Sequence, residues 1–470
     1  IRDAALNGNL PSIREMTERP DRFFPYRFGF SLWQYIGQRW GDESVGEIMN
    51  AVPNLGIERA FKRELGLSLD ELGDEWKEAM QLKHLPRVAQ LDRPRKFAQP
   101  LLTQRKTGGI ADLYIAPALS PDGKYIAFIS YGNFLRGEVF PDLYLADAQT
   151  GKRIKRLVKS TTNTDNEELR QLYSQSSFSP DGRYLAYTAQ RQGKDVLYLL
   201  DVRRRETVKR FDLPLEGVLS PTFSPDGKQL VFTGNVGGIT DLYMVNFDGS
   251  GFRQLTNDRF GDMQPDWSPD GRYVAFASDR DTDFDVLRLA KWKICLYEVA
   301  TGTVTELPNQ AALNLNPQWA PDSRSIAYVS ERTGTANLFL YDLDAGEHYQ
   351  LTNVIGAVNS QTEFSPAISW AHKADLLAFV YYEKGTNNIW SIRNPRLLKK
   401  APYRDRPATP VLAAGSAGAP GAAPRDASAG IGVGTSGAAG TNPVASGAPS
   451  GTTPAGAANA TRPVIPPVAD

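Results

Sequence analysis

The sequence predicts a mainly β protein: a six-bladed β-propeller with a small N-terminal α-helical domain and a disordered C-terminal tail. Three observations predict it. A Ser-Pro-Asp-Gly turn behind an aromatic anchor recurs through the middle of the chain. The hydrophobic period is helical before residue 86 and alternates from residue 98 onward. Beyond residue 400 the composition collapses to Ala, Gly, Pro, Ser and Thr.

The repeat is clearest in Phe178-Ser-Pro-Asp-Gly, which is followed by an alternating segment, Tyr184-Leu-Ala-Tyr-Thr188, and then by Asp195-Val-Leu-Tyr-Leu-Leu200. Proline presets φ at the second turn position, aspartate suits the third, and glycine tolerates positive φ at the fourth. With an innermost strand before Phe178 and an outer strand at Thr207–Leu213, the unit is a four-stranded antiparallel meander. It recurs at roughly 45-residue spacing, as propeller blades do. The anchors are Leu119, Phe178, Phe223, Trp267 and Trp319. A degenerate sixth copy, Trp370-Ala-His-Lys-Ala, leads into Asp375-Leu-Leu-Ala-Phe379. The sixth blade runs into proline and lysine after Trp390-Ser-Ile-Arg393, so its outer strand has to come from elsewhere. Residues 98–104 supply an apolar segment ahead of blade one, and pairing it onto blade six closes the ring and removes an open edge.

Residues 1–85 read as a bundle of about four helices. Ser68-Leu-Asp-Glu71 is a capping box followed by Leu72, Trp76 and Met80 on one face. Gly66 stops the preceding helix, and Pro53 is expected to end the one before that. Residues 86–97 read as a linker, 98–398 as the propeller, and 399–470 as a tail with too little apolar side chain to offset ordering entropy.

Composition narrows the function. Lys plus Arg and Asp plus Glu are 53 each, so no net field recruits nucleic acid or an anionic membrane. No apolar run approaches the ~20 residues of a membrane span. Cys295 stands alone, so no intrachain disulfide forms. The chain opens on Ile1 without a signal peptide, which is read as a fragment. No G-x-S-x-G elbow and no phosphate-cradling loop is present.

The long insertions fall in residues 131–141, 159–175 and 279–293, all on the face opposite the short turns. They bring Phe134, Arg136, Phe140, Phe284, Arg288 and Trp292 to that face, a set suited to an interface anchor. This face is the expected site for a protein or peptide partner. Asp142, Asp195, Asp241, Asp285, Asn337 and Asn388 recur once per blade, and a once-per-blade residue is expected to cap the preceding loop; no metal site is read from them.

The Ser-Pro-Asp-Gly repeats over residues 98–398 resemble the six-bladed propellers of the TolB family. That resemblance implies a non-catalytic binding scaffold, periplasmic or secreted. In the helical part, Phe24-Pro-Tyr-Arg-Phe-Gly29 and residues 60–76 resemble the C-terminal half of a gluzincin zinc metallopeptidase domain. There the tyrosine matched by Tyr26 hydrogen-bonds the oxyanion. The H-E-x-x-H half is not in this chain, whose three histidines, His84, His348 and His372, form no such motif. No cofactor is read for this chain, and zinc is implied only for a longer parent whose zinc half lies upstream of Ile1. A further alternative, the gate propeller of a prolyl-oligopeptidase-like serine peptidase, is disfavoured because no hydrolase domain is read.

Overall fold

The structure, a computed structural model, describes residues 1–20, 23–103, 113–131, 140–160, 166–170, 172–280, 282–286 and 291–405. Its architecture is a six-bladed β-propeller with a small helical region at the N-terminus.

Six helices stand in the N-terminal region among the described residues: α1 (Arg2–Leu6), α2 (Ile13–Glu18), α3 (Pro25–Trp40), α4 (Glu43–Leu55), α5 (Ile57–Leu65) and α6 (Leu69–His84). The sequence pattern gave about four. α1 and α2 are too short to show a helical period, although Ser12 and Glu15 form a capping box at α2. The Ser68–Glu71 box starts α6 as expected. Pro53 does not end α4, which continues to Leu55 and stops at Gly56 with φ 76°. So near the helix end the proline forfeits only the hydrogen bond its missing N–H would have donated to the carbonyl of exposed Met49. Leu32, Ile36, Ile48, Phe61, Leu72 and Trp76 form the buried centre.

Each blade is an antiparallel meander whose innermost strand lines the axis. In blade three the strands are Gly217–Phe223, Gln229–Val236, Ile239–Asn246 and Arg253–Gln254. Blade six takes its outermost strand from Gln99–Leu102, which pairs antiparallel with Thr386–Arg393, Gln99 opposite Ser391. Leu101 and Leu102 are buried there. Gly151, in the turn of blade one, lies so close to this strand that a Cβ would sit 1.9 Å from the Leu101 carbonyl oxygen. Aromatic side chains such as Phe128, Tyr187, Phe232, Phe276 and Tyr328 are fully buried between sheets.

Two segments brace the ring. The Arg2 guanidinium donates to the carbonyls of Val354 (2.9 Å), Ile355 (2.5 Å) and Gly356 (2.6 Å), and Asp3 accepts the Lys384 N–H at 2.8 Å. Asp92 exchanges backbone bonds with Asn353 and Ile355. The helical region is thus fastened where blade five crosses to blade six. At the other end, disorder was expected from residue 399, but 399–405 packs on blade five. The Tyr403 N–H bonds the His348 carbonyl, its ring meets Phe339 edge-on, and Arg404 forks onto Glu347. Three specific contacts outweigh the low apolar content of so short a run. The rest of the expected disordered tail lies outside the described residues.

No described helix is long and apolar enough to cross a membrane.

Candidate functional site

The propeller axis opens on the face of the Ser-Pro-Asp-Gly turns as a funnel of about 170 Å³. Its rim carries the turn prolines Pro121, Pro180, Pro225 and Pro269, with His372 and Lys373 from the degenerate turn of blade six.

Four hydrogen bonds between blades tie the wall from blade three round to blade one. In each, the residue just before an anchor accepts the backbone N–H of the next blade's anchor. Thr222 accepts from Trp267 (3.4 Å), Asp266 from Trp319 (2.7 Å), Gln318 from Trp370 (3.1 Å) and Ser369 from Leu119 (3.0 Å). Two residues deeper, polar side chains cross the axis. The Gln175 amide donates to the carbonyls of Pro117 (3.0 Å) and Ile368 (2.8 Å), and the Gln264 amide to that of Phe364 (2.7 Å). Gln264 also accepts the Asn316 N–H, and Asn316 accepts that of Ala367. These bonds give the funnel a floor.

The floor depends on strained backbone. Ala116, Ser220, Gln264 and Asn316 hold φ between 48° and 58°, each directly before a proline and each at a register shift in its inner strand. Left-handed backbone at a non-glycine residue costs of the order of 1–3 kcal/mol. The bulge turns the following residues toward the axis. The repeated X-Pro three residues before the anchor carries this signal in the sequence, and the turn-centred reading passed over it.

The expected long-loop site is described in part. Phe134, Arg136 and Arg288 lie outside the described residues. Phe140 is 52% exposed. Phe284, 38% exposed, packs on Phe260 with the Arg259 guanidinium 4.6 Å from its ring. Trp292 is half-buried, edge-on to Phe364 at 5.5 Å. None of the three lines the funnel, which opens on the opposite face. Tyr26, on the first turn of α3, is 79% exposed.

Three of the once-per-blade residues cap, but chiefly the crossing that follows, whereas Asp285 stands exposed well ahead of its blade's third strand, Lys293–Glu298. Asp142 accepts the Ser160 N–H (2.8 Å), Asp195 that of Val218 (3.3 Å) and Asn337 that of Val354 (3.0 Å). The expected cap on the preceding loop is met by Asn337, whose amide donates to Thr333 and Thr335. The reversal has a simple cause: in a propeller the crossing runs past the third strand's start, so its N–H groups come within reach.

Asp241, Asp258 and Asp262 approach closely enough to share an ion. Arg280 already fills that role, pairing with Asp258 and, at 2.7 Å, with Asp262. Burial pushes Asp262 up to about 7 in spite of the arginine. Two of the three histidines are engaged elsewhere. His348 spends both ring nitrogens, on the Tyr328 hydroxyl and the Pro308 carbonyl, and burial pushes it down to about 4. His372 faces Asp266.

Fold and funnel together define a TolB-like six-bladed β-propeller. The TolB β-propeller domain profile matches residues 167–290, and a profile of the dipeptidyl peptidase IV N-terminal region matches 268–386. The chain is 34% identical over 129 residues to a TolB homologue of Chlorobium chlorochromatii, covering 27% of each chain. It is 28% identical over 283 residues to an uncharacterized protein of Agrobacterium fabrum, covering 58% of this chain and 85% of that one. Among solved structures, TolB from Acinetobacter baumannii superposes with a TM-score of 0.42 at 20% identity, over 59% of this chain and 69% of that one. The matched stretch spans about a quarter of the length of the TolB homologues.

Proposed function

We propose that the propeller is an extracytoplasmic scaffold that binds a segment of a protein partner, and that the segment enters the funnel. The funnel itself carries this reading: a floored, proline-rimmed recess held by hydrogen bonds between blades suits an extended chain better than a flat surface does. Proline contributes apolar contact without backbone donors that an incoming chain would have to satisfy. The extracytoplasmic placement rests on the resemblance to TolB-type propellers. The exposed Phe260–Phe284–Arg259 cluster on the opposite face is the competing surface.

The test is a random peptide display selection on the folded chain. Selected peptides should bind with Kd in the micromolar range or better and lose binding to Ser177→Trp, which fills the funnel. They should keep binding when residues 281–291 are deleted. The opposite pattern would move the site to the long-loop face.

A second reading is favoured by α3, where Phe24, Tyr26 and Phe30 leave an open aromatic face; Phe30 is 71% exposed. In it, the helical region completes a gluzincin-type zinc peptidase half encoded upstream of Ile1, Tyr26 serves that site, and the propeller filters substrate. The dipeptidyl peptidase profile match over residues 268–386 agrees with a propeller attached to a peptidase. Sequencing the natural reading frame and measuring zinc in the full-length protein decides it. An H-E-x-x-H with about one zinc per chain supports the peptidase, and an upstream half without those ligands removes it.

A further inference from the structure

Blade six breaks the turn pattern at one informative place. Where the other blades carry Asp122, Asp181, Asp226, Asp270 and Asp322, blade six carries Lys373. In four of those turns the aspartate accepts the turn serine's hydroxyl at 2.5–2.7 Å, so its charge is spent within its own turn; in all five it accepts the N–H two residues on, and Asp322 of blade five also pairs with Arg396. Lys373 does the reverse. Its N–H bonds the Pro121 carbonyl at 2.8 Å, and its side chain reaches past blade one to the Pro180 carbonyl at 2.7 Å. From the same turn His372 reaches the other way, its Nε2 3.8 Å from the Asp266 carboxylate. Two arms from one turn therefore span the funnel rim in opposite directions.

The ionisable side chains lining the funnel are Asp266, His372 and Lys373. Asp266 is engaged by the Trp319 N–H and faces His372. Lys373 has no carboxylate partner among the described residues; its ammonium rests on a neutral carbonyl. A carboxylate entering the rim would replace that contact with a charge-assisted hydrogen bond, roughly twice as strong as a neutral one. Leaving Pro180 would also swing the arm off the opening.

We infer that Lys373 is the specificity-determining arm of the funnel, and that the arm selects a chain bearing a carboxylate at the rim, from an acidic side chain or a C-terminus. The inference rests on the peptide-binding reading for the nature of the ligand, but the charge preference of the rim is measurable without any peptide.

The measurement is thiol modification of Ser177→Cys. Native Cys295 stays silent, because it is fully buried and burial pushes its thiol up to about 12. Rates are compared for an anionic sulfonatoethyl and a cationic trimethylammonioethyl methanethiosulfonate, each normalised to its rate with a free small thiol, at low salt. The anionic reagent is expected to be favoured by about fivefold, the scale of one unit charge acting at close range through water. Lys373→Met should abolish the preference and Lys373→Arg should keep it, with unchanged melting curves. A preference that survives Lys373→Met, or is absent from the parent, overturns the inference whatever peptides do. In the peptide arm, display-selected binders should weaken tenfold or more on losing their acidic group. Comparing free-acid with amidated C-termini tells a chain end from a side chain. Binders that enter the funnel with no acidic requirement would leave the funnel reading standing and remove this one.

Discussion

The Asp266 carboxylate of blade four accepts the backbone N–H of Trp319 in blade five at 2.7 Å. Its acceptor is charged, and it is the shortest of the four inter-blade bonds, the others running through Thr222, Gln318 and Ser369. Asp266→Ala should leave the Trp319 N–H unsatisfied and cost about 1.5–3 kcal/mol. Urea unfolding midpoints at constant m-value measure it. Asp266→Asn, which keeps an acceptor, should cost less than half as much. A loss below about 0.5 kcal/mol for the alanine would show that the bond adds little to the wall.

Ring closure makes a second prediction. Gly151 holds φ 73° and stands against the Leu101 carbonyl of the closing strand. Gly151→Ala forces either the turn or that strand to move. It should destabilise the propeller by about 2–4 kcal/mol, adding left-handed strain to lost pairing. Hydrogen exchange should speed up at Gln99–Leu102 before it does elsewhere.

Acid stability should depend on His348. Its folded pKa is about 4, against 6.5 for the free side chain, because burial disfavours the imidazolium. The unfolded chain therefore binds the extra proton between those values. The neutral histidine's contribution is complete above pH 6.5 and is lost as pH falls toward 4, by about 3 kcal/mol in all. Asp262 is raised by burial and acts with the opposite sign, its contribution being lost as pH rises toward 7. The informative quantity is thus the difference between the parent and His348→Gln. That difference should narrow as pH drops from 6.5 to 4. A constant difference would mean that His348 titrates normally.

The helical region should come loose when Arg2 is removed. Arg2→Ala deletes the bonds to three consecutive carbonyls, leaving Asp3 and, in the linker, the Asp92 bridge, the Arg93–Glu383 ion pair and the Asn353–Gln90 bond. Limited proteolysis between residues 85 and 97 should accelerate about tenfold or more, in proportion to the free energy of local opening. The propeller's own unfolding should shift little. An unchanged cleavage rate would place the docking energy elsewhere.

What the sequence disclosed follows from periodicity. Five near-copies of one turn, in phase with their anchors, can hardly be anything but blades, and the missing outer strand after Arg393 pointed to residues 98–104, of which Gln99–Leu102 form the strand. The funnel was hidden for a different reason. Its floor depends on Gln175, Gln264 and Asn316 converging from blades far apart in sequence, and on backbone bulges marked in the sequence only by an X-Pro pair ahead of four anchors. The arm at Lys373 looked like decay of a repeat, because degeneracy in the last copy is common and its cross-ring contact to Pro180 spans nearly two hundred residues. The strap at 399–405 escaped because composition is averaged over a window, whereas Tyr403 and Arg404 act singly.

The most direct test of the central claim is photo-crosslinking of a display-selected peptide to the propeller. A benzoylphenylalanine is placed at Pro225 on the funnel rim or at Phe284 on the long-loop face. The funnel account predicts a peptide adduct from position 225 and none from 284. An adduct from 284 alone would contradict it.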